Sequence, residues 1–196
     1  MERAGSSGLA GLLLIGMIVA FIVLAGCTDR ALMPVSGSDT SGIVVLSDSF
    51  RAGESIPQQF TCQGENVSPG LSWSAVPNGT QSTAILMQDL DSPRPGFTHW
   101  IVYNIPPGST GIPGNVTPGG LLPGGGMQGN NDAGRTGYTG PCPPAGNPHR
   151  YEITVYALDK SLDRSVILNR TGFDAAINGS VIAKGSLLGT FGRHSV

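Results

Sequence analysis

The side chains best suited to chemistry lie where predicted β-strands begin or end. Asp89 and Asp91 follow an apolar run at 83–87, and alternate residues of an extended chain point to the same face. His99 begins the next apolar run, so a hairpin of these two strands would place it opposite the carboxylates. A third predicted strand completes the set, which comprises Asp89, Asp91, His99, His149 and Tyr151.

These residue types are compatible with three kinds of site. Two histidines and a carboxylate could bind zinc, but the sequence has no His-Glu-x-x-His or paired-cysteine spacing, so we predict no metal and no cofactor. General acid–base catalysis by Asp89 and His99 stays open, although no Gly-x-Ser-x-Gly elbow supplies a nucleophile. Cys142 is a weak nucleophile candidate, since no helix N terminus is predicted beside it.

Anion recognition needs only hydrogen-bond donors, which this set can supply. Histidine, the tyrosine hydroxyl and the amides of a glycine-rich loop could converge on a phosphate or a carboxylate without breaking a bond. Each histidine on its own could equally be a hydrogen-bonded residue at the end of a strand. The residues alone therefore leave both interpretations open.

The composition is typical of one globular domain with many turns. The 196 residues are 39% hydrophobic and 12% charged, which suits a single core. The 30 glycines and 15 prolines favour turns over long helices. The net charge of −2 and the lack of a basic stretch argue against nucleic acid as a partner.

The first 27 residues resemble a lipoprotein-type signal peptide. An uncharged apolar run at 9–25 leads to Leu-Ala-Gly-Cys, which is similar to a bacterial lipobox with Cys27 as the lipidated residue. A transmembrane anchor that is not cleaved is the alternative, since 17 apolar residues lie at the lower limit for spanning. Residues 28–42 then form a polar tether. We expect the domain at 43–196 to be extracytoplasmic and anchored to the cell membrane.

Two cysteines, Cys62 and Cys142, remain after the signal peptide. An even number of cysteines in an exported domain favours a disulfide, and two separate thiols are the alternative. Export would also present Asn-x-Ser/Thr triplets to any glycosylation machinery of the host, at Asn66, Asn78, Asn115, Asn169 and Asn178.

The chain after the tether is predicted to be an antiparallel β domain. β-Branched and apolar runs favour strands at 43–50, 71–73, 82–90, 99–105 and 150–159. The segment 108–146 is rich in glycine and proline and lacks apolar periodicity, which is typical of a segment that lines a site or is mobile. Only the C-terminal part looks helical, beginning at a Thr171 N-cap with Asp174 in the capping-box position. Gly179 can end this helix, and the apolar positions at 181–188 follow.

Three long motifs resemble the phosphatidylethanolamine-binding protein family, in its prokaryotic Raf-kinase-inhibitor-like branch. They are FTCQGENVSPGLSW at 60–73, DLDSPRPGFTHWIVYNIP at 89–106 and GRTGYTGPCPPAGNPHRYEITVYALD at 134–159. The resemblance covers about residues 43–193, with Leu90 in place of the proline in the family's Asp-Pro-Asp motif. It implies a mostly β fold in which a central sheet packs on a smaller sheet, with short C-terminal helices and a small anion pocket.

The resemblance also implies which residues form that pocket. In this assignment His149 and Tyr151 donate hydrogen bonds to the anion, and the backbone amide of Cys142 faces it. Asp89 lies in the pocket and orients His99. Support comes from the turn behind Asp89 and from the residue before the Cys142 loop, at Asp91, Pro93 and Gly140.

The leading functional hypothesis is a membrane-tethered binding protein for a small phosphate- or carboxylate-type anion, and not an enzyme. One alternative is a protease inhibitor or another interaction module that contacts an unknown protein through the loop at 108–146. A weak hydrolase that uses Asp89 and His99 is the other. The kinase inhibition of eukaryotic relatives is not expected, because those proteins act in the cytoplasm.

Overall fold

The computed structural model describes residues 42–94, 96–119 and 121–193. The predicted signal peptide, the predicted lipidation site Cys27 and the predicted tether before residue 42 lie outside these ranges, so these assignments stay predictions. Among the described residues, no helix combines the length and the apolar character needed to cross a membrane.

The described residues form eight β-strands, a short 3₁₀ helix at Gln58–Phe60 and one α-helix. The four long strands are β3 (Ser82–Asp89), β4 (Phe97–Ile105), β7 (His149–Leu158) and β8 (Val181–Phe191). The α-helix is α1 (Arg170–Ile177). The short strands are β1 (Val45–Ser47), β2 (Leu71–Trp73), β5 (Gly111–Ile112) and β6 (Met127–Gln128).

The strands form two antiparallel sheets. The larger sheet has the order β6-β4-β3-β7-β8, and the smaller has the order β1-β2-β5. Strand β3 is central, and its last residue, Asp89, pairs with Phe97 on one side and Tyr151 on the other. The end of β3 therefore meets the starts of β4 and β7, where the candidate side chains are found.

Two apolar layers cover the faces of the larger sheet. The first lies between the sheets and joins side chains such as Met87 and Trp100 to Val45 and Trp73 of the smaller sheet. The second is on the opposite face, where Phe173 of α1 and the loops around it cover the sheet. Strands β3 and β4 are buried on both faces, which explains why their sequences are continuous apolar runs.

The predicted mostly β fold with two packed sheets is confirmed, but the predicted N-cap and the expectation of more than one C-terminal helix are wrong. A single α-helix is present in the described chain, and its N-cap is Asn169, whose side chain accepts a hydrogen bond from the Gly172 amide. Thr171 therefore lies inside the helix. The segment at 181–191, for which the sequence predicted no strand, is the long strand β8.

Strand β8 was hard to recognise because glycines interrupt its apolar pattern. A side chain at Gly185 would overlap the carbonyl oxygen of Ile43, and one at Gly189 would meet Phe50 and Ile56. Close packing of the N-terminal segment on β8 therefore requires these glycines. Gly179, with φ of 73°, ends α1 as expected.

Candidate functional site

A small pocket opens at the edge of the larger sheet where β3 ends and β4 and β7 begin. Its volume is about 230 Å³, below the roughly 300–1,000 Å³ of sites for drug-sized ligands. A ligand the size of a head group would fit it. The walls combine polar side chains with apolar ones, from Asp89, Ser92, Pro93, Phe97, His99, Ala133, Thr139, Gly140, Cys142, Pro143, Pro144 and His149.

The carboxylate of Asp89 is buried, and each of its oxygens accepts one hydrogen bond. Its Oδ1 accepts a hydrogen bond from the Asp91 amide at 2.9 Å, and its Oδ2 lies 2.8 Å from Nδ1 of His149. Because a carboxylate oxygen can only accept, Nδ1 of His149 carries a hydrogen and Nε2 is left for the pocket. The pair forms an ion pair when the imidazole is protonated.

His99 is oriented by the backbone of the loop and not by Asp89, so that predicted role is wrong. Its Nδ1 donates to the carbonyl oxygen of Thr139 at 2.7 Å. Phe97, and not His99, is opposite Asp89. The register shift between Met87 and Gln88 of β3 leaves His99 unpaired between Trp100 and Thr98, and without it Thr98 would be opposite Asp89. The bulge turns the His99 ring into the pocket, a common use of such irregularities beside functional sites.

Burial controls the charge of His99. The side chain is only 4% exposed, and it packs between the rings of Phe97 and Tyr151. Desolvation lowers the pKa of this imidazole below its ordinary 6.5, against the opposing effects of the Thr139 carbonyl and the Asp89 charge. The neutral ring is therefore favoured near neutral pH.

Tyr151 lies among the pocket side chains without forming part of the pocket wall. Its ring contacts His99 edge-on at 5.2 Å between centroids and stacks near His149 at 6.5 Å. Its hydroxyl is buried and, among the described residues, meets no partner in hydrogen-bonding geometry. Burial first, and then the charge of Asp89, raise the pKa of the phenol, so the hydroxyl keeps its proton.

The loop at 138–144 is held to the segment at 58–66 and forms the far wall of the pocket. The Tyr138 hydroxyl donates to the Phe60 carbonyl at 2.6 Å, and the Gly140 amide donates to the side chain of Asn66 at 2.7 Å. A side chain at Gly140 would collide with both acceptors. Cys62 and Cys142 are joined by a disulfide, as the sequence favoured, with 5.4 Å between their Cα atoms.

The loop amides differ from the prediction in one respect. The Gly140 amide is occupied by Asn66, whereas the Cys142 amide donates no hydrogen bond within the described chain. Sequence reasoning missed Asn66, whose motif position gave no signal of a contact 74 residues away. The segment 108–146 has regular structure, since it contains β5 and β6, and it also supplies this wall of the pocket.

A surface ion pair closes the turn behind the pocket. Asp91 accepts from the Arg150 backbone amide and from its guanidinium, at 2.7–3.0 Å. These hydrogen bonds lower the pKa of Asp91 to about 2. Asp91 thus supports the turn, and Arg150 is a support residue that the sequence analysis did not name. Pro93 lies in the pocket wall itself.

Metal binding finds no support in the part of the chain that the structure describes. No group of three or more His, Cys, Asp or Glu side chains is placed to hold an ion there. Asp89 and His149 are adjacent, but the disulfide removes both nearby cysteines as ligands.

Comparison with known proteins places this geometry in a family. The family model described as phosphatidylethanolamine-binding protein matches residues 46–192. A UPF0098 protein of Methanothermobacter thermautotrophicus is 46% identical over 138 residues, covering 70% of this chain and 91% of the relative. Another, of Aquifex aeolicus, is 40% identical over 151 residues, covering 76% and 88%. The crystal structure of E. coli YbcL, described as a member of the mammalian family, superposes with a TM-score of 0.73 at 33% identity, covering 78% and 99%.

Proposed function

The chain belongs to the phosphatidylethanolamine-binding protein family, and on that premise we propose that it binds small phosphate- or carboxylate-type anions in the pocket at the end of β3. The observation that carries the proposal is the pair of pocket histidines, His99 and His149, whose Nδ1 atoms are both held by protein acceptors. Both rings are thereby fixed with Nε2 as the nitrogen left for a ligand.

Three kinds of donor support an anion at this place. A protonated His149 would offer Nε2–H while Asp89 balances the charge of its ring. The amide of Cys142 is free of hydrogen bonds within the described chain, and the loop that carries it is held by the disulfide and by the hydrogen bonds of Tyr138 and Gly140. The Tyr151 hydroxyl is buried behind the pocket wall close to the Asp89 carboxylate and, among the described residues, has no hydrogen bond of good geometry. This is costly unless a ligand or a water that reaches it completes the bond.

Asp89 does not prevent anion binding in this arrangement. Its two oxygens already accept from Asp91 and His149, so its charge is shared with donors before a ligand arrives. Its role would be to hold His149 in position, in the way that a carboxylate orients a histidine in many functional sites.

We further propose that the domain acts outside the cytoplasm and is tethered to the membrane through Cys27. The support is the lipobox-like sequence ahead of the domain and the disulfide within it, which is typical of oxidising compartments.

A pair of tyrosine variants tests the pocket. Tyr151→Phe should weaken phosphate binding about tenfold or more, since a hydrogen bond to a charged group contributes about 1.5–3 kcal/mol. It should cost little stability, because the deleted hydroxyl makes no hydrogen bond of good geometry among the described residues. The measurements are isothermal titration with inorganic phosphate and urea unfolding.

Tyr156→Phe is the matched control, since Tyr156 lies on the same strand but packs with the second apolar layer. His149→Ala should also weaken phosphate binding. If no signal of His99, His149 or Tyr151 responds to phosphate or acetate in an NMR titration, the anion pocket is rejected. Turnover of a phosphate ester that Asp89→Asn abolishes would favour a hydrolase instead.

A separate experiment tests the tether. We expect Cys27→Ser to release the protein from the membrane fraction, and the intact mass of the native protein to include a lipid on Cys27. An unmodified chain that begins at Met1 would contradict the anchor without affecting the pocket.

A further inference from the structure

The two pocket histidines are locked in the same tautomer. The Thr139 carbonyl oxygen, 2.7 Å from Nδ1 of His99, can only accept a hydrogen bond. The Asp89 carboxylate, 2.8 Å from Nδ1 of His149, can likewise only accept a hydrogen bond. In each neutral ring, Nδ1 therefore carries the hydrogen, and Nε2 presents a lone pair.

When both rings are neutral, the two histidine Nε2 atoms are acceptors that face the ligand beside the donor amide of Cys142. His99 is 4% exposed, and burial lowers its pKa, so its Nε2 keeps the lone pair near neutral pH. The ionisable groups that face it are Asp89 from β3, Asp132 from the loop, and His149 and Tyr151 from β7. The two carboxylates cannot supply a hydrogen to a ligand while they are charged.

A ligand that brings its own hydrogen matches these acceptors. From this geometry we infer that the pocket selects tetrahedral oxyanions that carry a hydrogen-bond donor, such as hydrogen phosphate, over oxyanions that carry none, such as sulfate. The ligand hydrogen would be donated to a histidine Nε2 or to Asp89, and the remaining oxygens would accept from the Cys142 amide and the Tyr151 hydroxyl. This selectivity rests on the proposed anion-binding function and specifies its ligand class.

Two sources of such a ligand share this chemistry. Inorganic phosphate keeps a P–OH group as hydrogen phosphate even at pH 8, whereas phosphomonoesters carry a P–OH group mainly below about pH 6. A phosphodiester head group has no P–OH, but phosphoethanolamine-type head groups carry an ammonium donor. Dimethyl phosphate has neither, so it is the diester that should fail.

The test compares matched anions on the full chain. Near pH 8, hydrogen phosphate and sulfate have similar size, shape and charge, and only phosphate has a hydrogen to donate. We expect phosphate to bind at least about tenfold more tightly than sulfate in isothermal titration, because sulfate would replace one hydrogen bond with a repulsion between lone pairs. Glycerophosphoethanolamine should bind and dimethyl phosphate should not, if the ammonium serves as the donor. If only inorganic phosphate binds, a P–OH is required.

A pair of isosteric variants assigns the effect to the pocket acceptors. Asp89→Asn can donate to Nδ1 of His149, which moves the ring hydrogen to Nε2, so the preference for phosphate over sulfate should shrink severalfold or vanish. Asp132→Asn removes the same charge from a nearby side chain outside the pocket wall, and its preference should match that of the wild type.

The outcomes separate the inference from the function beneath it. Equal binding of sulfate and phosphate by the wild-type protein overturns the selectivity and leaves the anion pocket standing. An unchanged preference in Asp89→Asn shows that the acceptors do not cause it, which also overturns the inference. Binding of neither anion overturns the proposed function itself.

Discussion

The His99 side chain owes its properties to the bulge in β4 that carries it. The ring is out of water, with Thr139 as its hydrogen-bond partner and aromatic rings on its flanks. Charged His99 would lose most of its hydration in this place, so folding favours the neutral ring. The same burial that keeps the imidazole of His99 neutral therefore makes the folded protein sensitive to acid.

Acidification should destabilise the protein partly through His99. The unfolded chain takes up a proton near pH 6.5, and the folded chain only below that value, so the stability from this group is complete above 6.5 and declines as the pH falls. In His99→Asn, whose amide can still donate to Thr139, the loss of stability between about pH 7 and pH 5 should be smaller than in the wild type, by at most about 1.4 kcal/mol per pH unit. Urea unfolding at several pH values measures this stability. If the wild type and the variant lose stability with pH at the same rate, His99 does not contribute to the acid sensitivity.

Single contacts were only partly predictable from the sequence. Asp89, His99 and His149 share the pocket as expected, since each lies at the end or start of a strand of the same sheet. The partner of Asp89 was predicted as His99 and is His149. Phe97 lies opposite Asp89, and without the one-residue shift in β4 Thr98 would lie there, so the predicted pairing with His99 rested on a register that the residue types do not reveal.

The long strands were recognisable for a physical reason that β8 lacks. Strands β3, β4 and β7 bury most of their residues, so their apolar runs show directly in the sequence. β8 lies at the edge of the sheet and has exposed residues and required glycines, so its pattern resembles neither a buried strand nor a clear helix.

The cap of α1 offers a test at the level of one helix. Asn169→Ala removes the acceptor for the Gly172 amide and should lower the free energy of unfolding by about 1 kcal/mol. Thr171→Ala is the control, since Thr171 lies within the helix and caps nothing. Chemical unfolding gives the free energy of unfolding of both variants. A larger loss of stability in Thr171→Ala than in Asn169→Ala would mean that Thr171 is the N-cap, as the sequence predicted.

The glycine- and proline-rich segment at 108–146 is integrated into the molecule through contacts distant in sequence. Gln128 of β6 accepts from the indole of Trp100 and donates to the Thr117 carbonyl. The loop that follows is held by Phe60 and Asn66. Since Trp100, Phe60 and Asn66 all lie outside the segment, at least 28 residues from the residues they contact, local composition could not distinguish this ordered wall from a mobile loop.

The disulfide is the covalent part of this arrangement, and its effect should be on the stability of the whole domain. It joins residues 80 apart, and closing a loop of that length in the unfolded chain is worth about 4 kcal/mol in the chain-entropy view. The variant Cys62→Ser/Cys142→Ser should therefore unfold at a lower urea concentration than the oxidised wild type. Reductant should lower the wild-type midpoint toward that of the variant and leave the variant unchanged. Because the hydrogen bonds from Tyr138 and Gly140 still hold the loop in the folded state, phosphate affinity at low urea should change much less than stability. A parallel loss of affinity would mean that the disulfide, and not these hydrogen bonds, positions the Cys142 amide.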